Sequence, residues 1–221
     1  MEHDPRIARA RLRMFAQVSG AFGLLAVVFL TVYYSLGEPF PPGENEWSWN
    51  GLAGNLAGAT ALGALVPLAC ALWLLLPDNR TVWVWTVLGA SAMALLALCC
   101  VLLALHLIDF QVQAVAFTTC IAFVFGWQRI VSRHAASGQS HESAVWRWGA
   151  GLGVTGLAAG LVIALALLLP WGSGPQLVVL TIGWVPSIVS TLALPAWTLA
   201  LARLSFPERV AATPGRRAAA V

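Results

Sequence analysis

From Val82 to Val131 the chain runs for fifty residues with only two charged side chains, Asp109 and Arg129. A helix that crosses the hydrocarbon core of a bilayer needs about 20 apolar residues, so this run is long enough to cross twice. In lipid the backbone must satisfy its own hydrogen bonds, which leaves helices or a closed barrel. A barrel strand alternates polar and apolar positions. This run is continuously apolar, and that selects helices. The rest of the chain agrees, with 59% hydrophobic and 10% charged residues among 221, where a soluble domain carries about 25% charge.

The same criterion applied along the chain predicts six spans, at residues 14–36, 51–76, 82–107, 111–131, 146–170 and 176–202. Short connections rich in proline and glycine, such as "GEPFPPG", "PDNRT" and "PWGSGPQ", place successive helices side by side and antiparallel. The fold class read here is all-α, a polytopic membrane helical bundle with both termini cytoplasmic. It divides into a basic N-terminal stretch (1–13), a six-helix transmembrane domain (14–202) and a basic tail (203–221). Arginines precede the first apolar run, as in a signal peptide. The run is longer than a signal peptide's apolar core, and it lacks a small-residue cleavage site, so it is read as a retained span.

Direction follows from arginine, which accumulates on the cytoplasmic side. The chain has twelve arginines and no lysine. With six spans and cytoplasmic termini, Arg6, Arg9, Arg11, Arg13, Arg80, Arg129, Arg133, Arg147, Arg203, Arg209, Arg216 and Arg217 all fall inside, while Glu38, Glu44, Glu46 and Asp109 fall outside. The expected location is the bacterial cytoplasmic membrane. Tryptophan favours headgroup boundaries. Trp47, Trp49 and Trp171 lie at outer span ends, and Trp73, Trp83, Trp85, Trp127, Trp146, Trp148 and Trp197 at or near inner ones. Tyr33 and Tyr34 close the first span, and Trp184 lies deeper.

His106 and Asp109 are the first candidates for chemistry, because an ionisable residue inside a span is a functional hypothesis by default. Depth argues for a turn instead. At about 1.5 Å per residue, Asp109 lies roughly 40 Å along an ideal helix from Val82, and the hydrocarbon core is about 30 Å thick. "HLIDFQVQ" therefore reads as the polar tip of a hairpin, with a catalytic site at the outer boundary as the alternative. Small residues four apart, Gly54 with Gly58, Gly149 with Gly153 and Gly156 with Gly160, mark faces where helix backbones approach closely. Pro186 and Pro195 predict a kinked sixth span, with Ser187, Ser190 and Thr191 available to the freed carbonyls.

Asn50, Asn55, Gln113, Gln17 and Gln128 sit near span ends, where polar groups are cheap, and they need no function. Cys70, Cys99, Cys100 and Cys120 lie in apolar runs without a C-x-x-C pattern, which suggests packing and no metal or redox site. His134 and His141 are seven apart in a loop, which is not metal-ligand spacing. A loose echo between residues 47–77 and 146–170 needs a six-residue gap and uses common residue types, so it reads as chance. No cofactor is implied.

The function expected is that of a non-enzymatic multi-pass protein, a small transporter-like protein or a membrane subunit of a larger assembly. Alternatives are an enzyme acting on a lipid or isoprenoid at the outer boundary, and a regulatory or immunity protein acting through helix contacts. The expected partners are the lipid bilayer and a membrane protein or a second copy of the chain, with no nucleic acid.

Overall fold

The computed structural model describes residues 5–36, 49–76, 79–137, 143–166, 168–170 and 173–204. They form six helices: α1 (Pro5–Leu36), α2 (Trp49–Leu75), α3 (Arg80–Ala104), α4 (Phe110–Ala136), α5 (Ser143–Ala166) and α6 (Gly174–Ala202). Each is long and apolar enough to cross a bilayer, and the architecture is that of a multi-pass membrane protein. Four boundaries depart from the sequence reading. α1 starts at Pro5 rather than 14, and α4 continues to Ala136 rather than 131, because an apolar window measures the lipid core and not the helix. Leu12 and Ala135 lie in these extensions and are buried in the bundle. Conversely, α3 and α5 stop at Ala104 and Ala166, a few residues before their apolar runs end.

The helix ends are built from local chemistry. Asn79 caps α3, its Oδ1 accepting from the amides of Thr81 and Val82 at 2.8 and 3.4 Å. The same side chain ties α3 to the end of α4, with Nδ2 2.7 Å from His134 Nε2. α3 closes in a Schellman motif: Leu107 N–H donates to Leu102 O, and His106 N–H to Leu103 O. That motif needs one left-handed residue, and here it is His106 at φ 56°. Ser173 caps α6, and the Gln176 side chain donates to Ala166 O of α5 across the short connection.

Each helix packs on its two chain neighbours, and α6 returns to α1, so the six form a closed ring in chain order. The arginines of the described helices all lie at one end of this ring: Arg6, Arg9, Arg11 and Arg13 on α1, Arg80 on α3, Arg129 and Arg133 on α4, and Arg147 on α5. The outward surface is apolar. On α6 alone, Leu177, Val178, Ile182, Val185, Ile188 and Val189 are each more than half exposed. In water such a patch would drive association; lipid covers it at no cost.

Helices approach closely at glycines. Along α5, Gly149, Gly153, Gly156 and Gly160 face Ser132, Arg129, Phe125 and Ala122 of α4 in antiparallel register. Gly54 meets Leu30 and Phe29 of α1, while Gly58 turns to Cys100 of α3 at an ordinary 3.8 Å. The ring is closed by Gly20 and Gly23 of α1 against Leu199 and Pro195 of α6. Gly89 seats Trp127, Gly126 lies under Trp85, and Gly183 packs on Ile163.

Candidate functional site

The face of α4 that carries Ile121, Val124, Gln128, Val131 and Ala135 follows helical spacing, and every member is buried. Four of the five are apolar, as a bundle interior requires. The fifth is an amide. Gln128 is 0% exposed, and neither its oxygen nor its nitrogen has a hydrogen-bond partner in the protein.

Other polar atoms gather around the same level. Ser132 lies one turn further along α4, also 0% exposed, with its Oγ unpartnered. A Cβ at Gly149 would collide with both Ser132 Oγ and Trp197 Nε1, so those two atoms sit side by side over the bare backbone of α5. Trp197 reaches across the ring from α6 to meet Trp127 edge to face, with ring centroids 6.2 Å apart and planes at 82°. Both indole nitrogens are buried and unpartnered. Thr86 of α3 stands one turn from Gly89, the seat of Trp127, and its hydroxyl is unpartnered too. Arg129 follows Gln128 on α4 with its backbone and Cβ against Gly153 of α5, and its Nε is buried without a partner. The result is a polar layer in the arginine-bearing half of the bundle, drawn from α3, α4 and α6 and floored by a glycine of α5.

This layer corrects two expectations. Gln128 is not at an inexpensive helix end: it is sealed in the core, where an unpaired amide is costly. Trp127, Trp146 and Trp197 are not boundary anchors but three of the largest fully buried side chains. Trp83 and Trp148, at 48% and 40% exposure, do face outward at that end, and Trp184 is exposed at mid-helix. Nothing in the sequence separates a buried tryptophan from a boundary one by type. The available signal was pairing with glycine, since Gly89 and Gly149 leave room where Trp127 and Trp197 must go.

The other sequence candidates are distributed around the bundle. His106 and Asp109 flank the turn between α3 and α4, and both are exposed. Together with Leu107, Ile108 and Val112 they line a shallow, open groove. Asp109 is the N-cap of α4, its Oδ1 accepting from Val112 N at 2.8 Å. Pro186 and Pro195 are both inside α6. The carbonyl of Pro195 receives the Thr198 hydroxyl at 2.8 Å, whereas Ser190 Oγ is buried without a partner and so relieves no freed carbonyl.

Gln113 forms a second polar knot toward the opposite end. Its amide donates to Asn55 Oδ1 at 3.0 Å and to Cys100 Sγ at 3.5 Å. All four cysteines are free. Among the described residues there is no cluster of three side chains able to hold a metal ion. Trp47, Trp171, His141, Glu38, Glu44 and Glu46, and the side chains of Tyr34 and Asn50, lie outside the described residues.

Comparison with protein-family models, with curated proteins and with solved structures finds no match for this chain.

Proposed function

We propose that the chain is a small, non-enzymatic, transporter-like protein of a bacterial cytoplasmic membrane, and that the polar layer holds a polar solute in passage. The observation that carries this reading is Gln128. A buried amide with neither atom paired is expensive in a bundle with no surrounding water. Polar side chains retained inside membrane bundles characteristically mark solute pathways. The grouping of arginines at one end supports an orientation with both termini cytoplasmic, which puts the layer in the cytoplasmic half. The alternative enzyme site at His106 and Asp109 has less support, since Asp109 is already occupied in capping α4.

Reconstituted liposomes test the reading. After osmotic shrinkage with a panel of small salts and neutral solutes, wild-type vesicles are expected to reswell for a subset of them, and Gln128→Leu vesicles are expected to lose that response. Reswelling no faster than in protein-free vesicles, for every solute, would remove the transport assignment.

A further inference from the structure

We propose that Arg80, Arg133 and Arg147 form one docking ledge for the headgroup phosphate of an anionic phospholipid. This holds whether or not the chain carries a solute. Two contacts set the three arginines level. Asn79 Nδ2 lies 2.7 Å from His134 Nε2, which puts the start of α3 beside the last turn of α4. Gly149 of α5 lies against Ser132 of α4, which puts the first turns of α5 beside the same stretch. Arg80 follows Asn79, Arg133 stands between Ser132 and His134, and Arg147 is two residues from Gly149. All three arginines are exposed. They therefore rise within about one turn of each other from three consecutive helices, and packed neighbours of this kind stand about 8–10 Å apart.

Charge and polarity select the occupant. A guanidinium meets a phosphate through two parallel N–H groups. Among the described residues the one carboxylate is Asp109, at the opposite end of α4, so no described acid competes for the ledge. Asp78 and Glu142, in the neighbouring connections, lie outside the described residues. The surface beside the arginines is apolar. Trp83 and Val87 on α3, and Trp148 and Val154 on α5, are 48%, 46%, 40% and 44% exposed. Such a wall offers nothing to a dissolved phosphate. For a phospholipid it is a seat: acyl chains lie along the valines, and indole rings settle at headgroup depth. Basic clusters at the ends of membrane helices hold anionic headgroups in this way. A zwitterionic headgroup fits less well, because its own cation would stand among the arginines.

The test is thermal unfolding of the purified full chain in neutral detergent, with phosphatidylglycerol, phosphatidylcholine or sodium phosphate titrated at constant ionic strength. Wild type is expected to show a saturable rise in Tm with phosphatidylglycerol and none with the other two. With Arg80→Gln and Arg133→Gln combined, the half-saturating amount of phosphatidylglycerol is expected to increase at least about tenfold, since each arginine near an anionic headgroup adds its own attraction. Arg11→Gln with Arg13→Gln removes the same charge from exposed positions on α1. That helix is separated from the ledge by α2, and screening should hold the change below about twofold. If the combined ledge variant does not fold, Arg133→Gln alone serves, with an increase of about threefold or more. The proposal is overturned if phosphatidylcholine raises Tm equally, or if sodium phosphate does, which would make the ledge a site for free phosphate. Equal shifts in the α1 and ledge variants would leave only diffuse charge attraction and would also overturn it. So would a wild type that responds only after Asp78→Asn and Glu142→Gln, because the chain's own acids would then hold the arginines.

Discussion

Gly153 of α5 lies against the backbone of Arg129 on α4, so close that a Cβ there would stand 2.6 Å from the Arg129 amide nitrogen. Backbone cannot rotate aside as a side chain can. Gly153→Ala is therefore expected to destabilise the bundle by about 1–3 kcal/mol, as over-packing does, and Gly153→Leu by more. Gly156→Leu meets the Phe125 ring and should also lower stability. Gly151, on the same helix, has nothing within 4 Å of its added Cβ. Gly151→Ala should be neutral or stabilising by up to about 1 kcal/mol through helix propensity. Unfolding midpoints in detergent compare the three positions, and equal effects at 151 and 153 would contradict the packing argument.

The contrast shows what a sequence of this kind reveals. Apolar run length gave six helices, because lipid thickness imposes a minimum on every crossing. The α5 glycines were visible because their spacing repeats. Gly89 and Gly126 were not, since each is a single residue matched to one tryptophan on a neighbouring helix. Gln128 was the largest miss. It sits three residues from the end of its apolar run, where sequence depth predicts an exposed group. The helix in fact extends past that run and carries the amide into the interior. Burial is a property of the assembled bundle, which one helix's sequence does not carry.

Asp109 provides a cap and not a buried charge. Asparagine caps about as well as aspartate, and alanine costs about 1 kcal/mol. Asp109→Asn should leave stability within about 0.5 kcal/mol of wild type, and Asp109→Ala should lose roughly the full cap. In a chain stripped of native cysteines, Asp109→Cys should react with a membrane-impermeant thiol reagent. Protection from the reagent, together with shared loss of function in Asp109→Asn and His106→Ala, would return these residues to candidacy as a catalytic pair.

His106 holds the left-handed position that ends α3. Glycine reaches that conformation without a Cβ penalty, while a β-branched residue is strained there. His106→Gly is expected to match or exceed wild-type stability, and His106→Val to lower it by about 1–2 kcal/mol. The order of unfolding midpoints, Gly above His above Val, is the check. A large loss in the glycine variant would show that the imidazole itself matters.

Orientation can be read with fusions. If the arginine-bearing helix ends are cytoplasmic, as proposed, a reporter active only in the cytoplasm should work when fused to the C-terminus, and a periplasmic reporter there should not. The opposite pair of results would invert the assignment and place the polar layer near the outer surface.

The ring closes between its first and last members, with Gly20 and Gly23 of α1 held against Leu199 and Pro195 of α6. Every other seam joins helices that follow one another in the chain, so five interfaces can form as hairpins while synthesis proceeds. The sixth cannot. Until α6 is released from the ribosome and inserted, the α1 glycines present an uncovered groove and the polar layer lacks Trp197. Until that last seam closes, the chain is an open arc whose uncovered edge is α1.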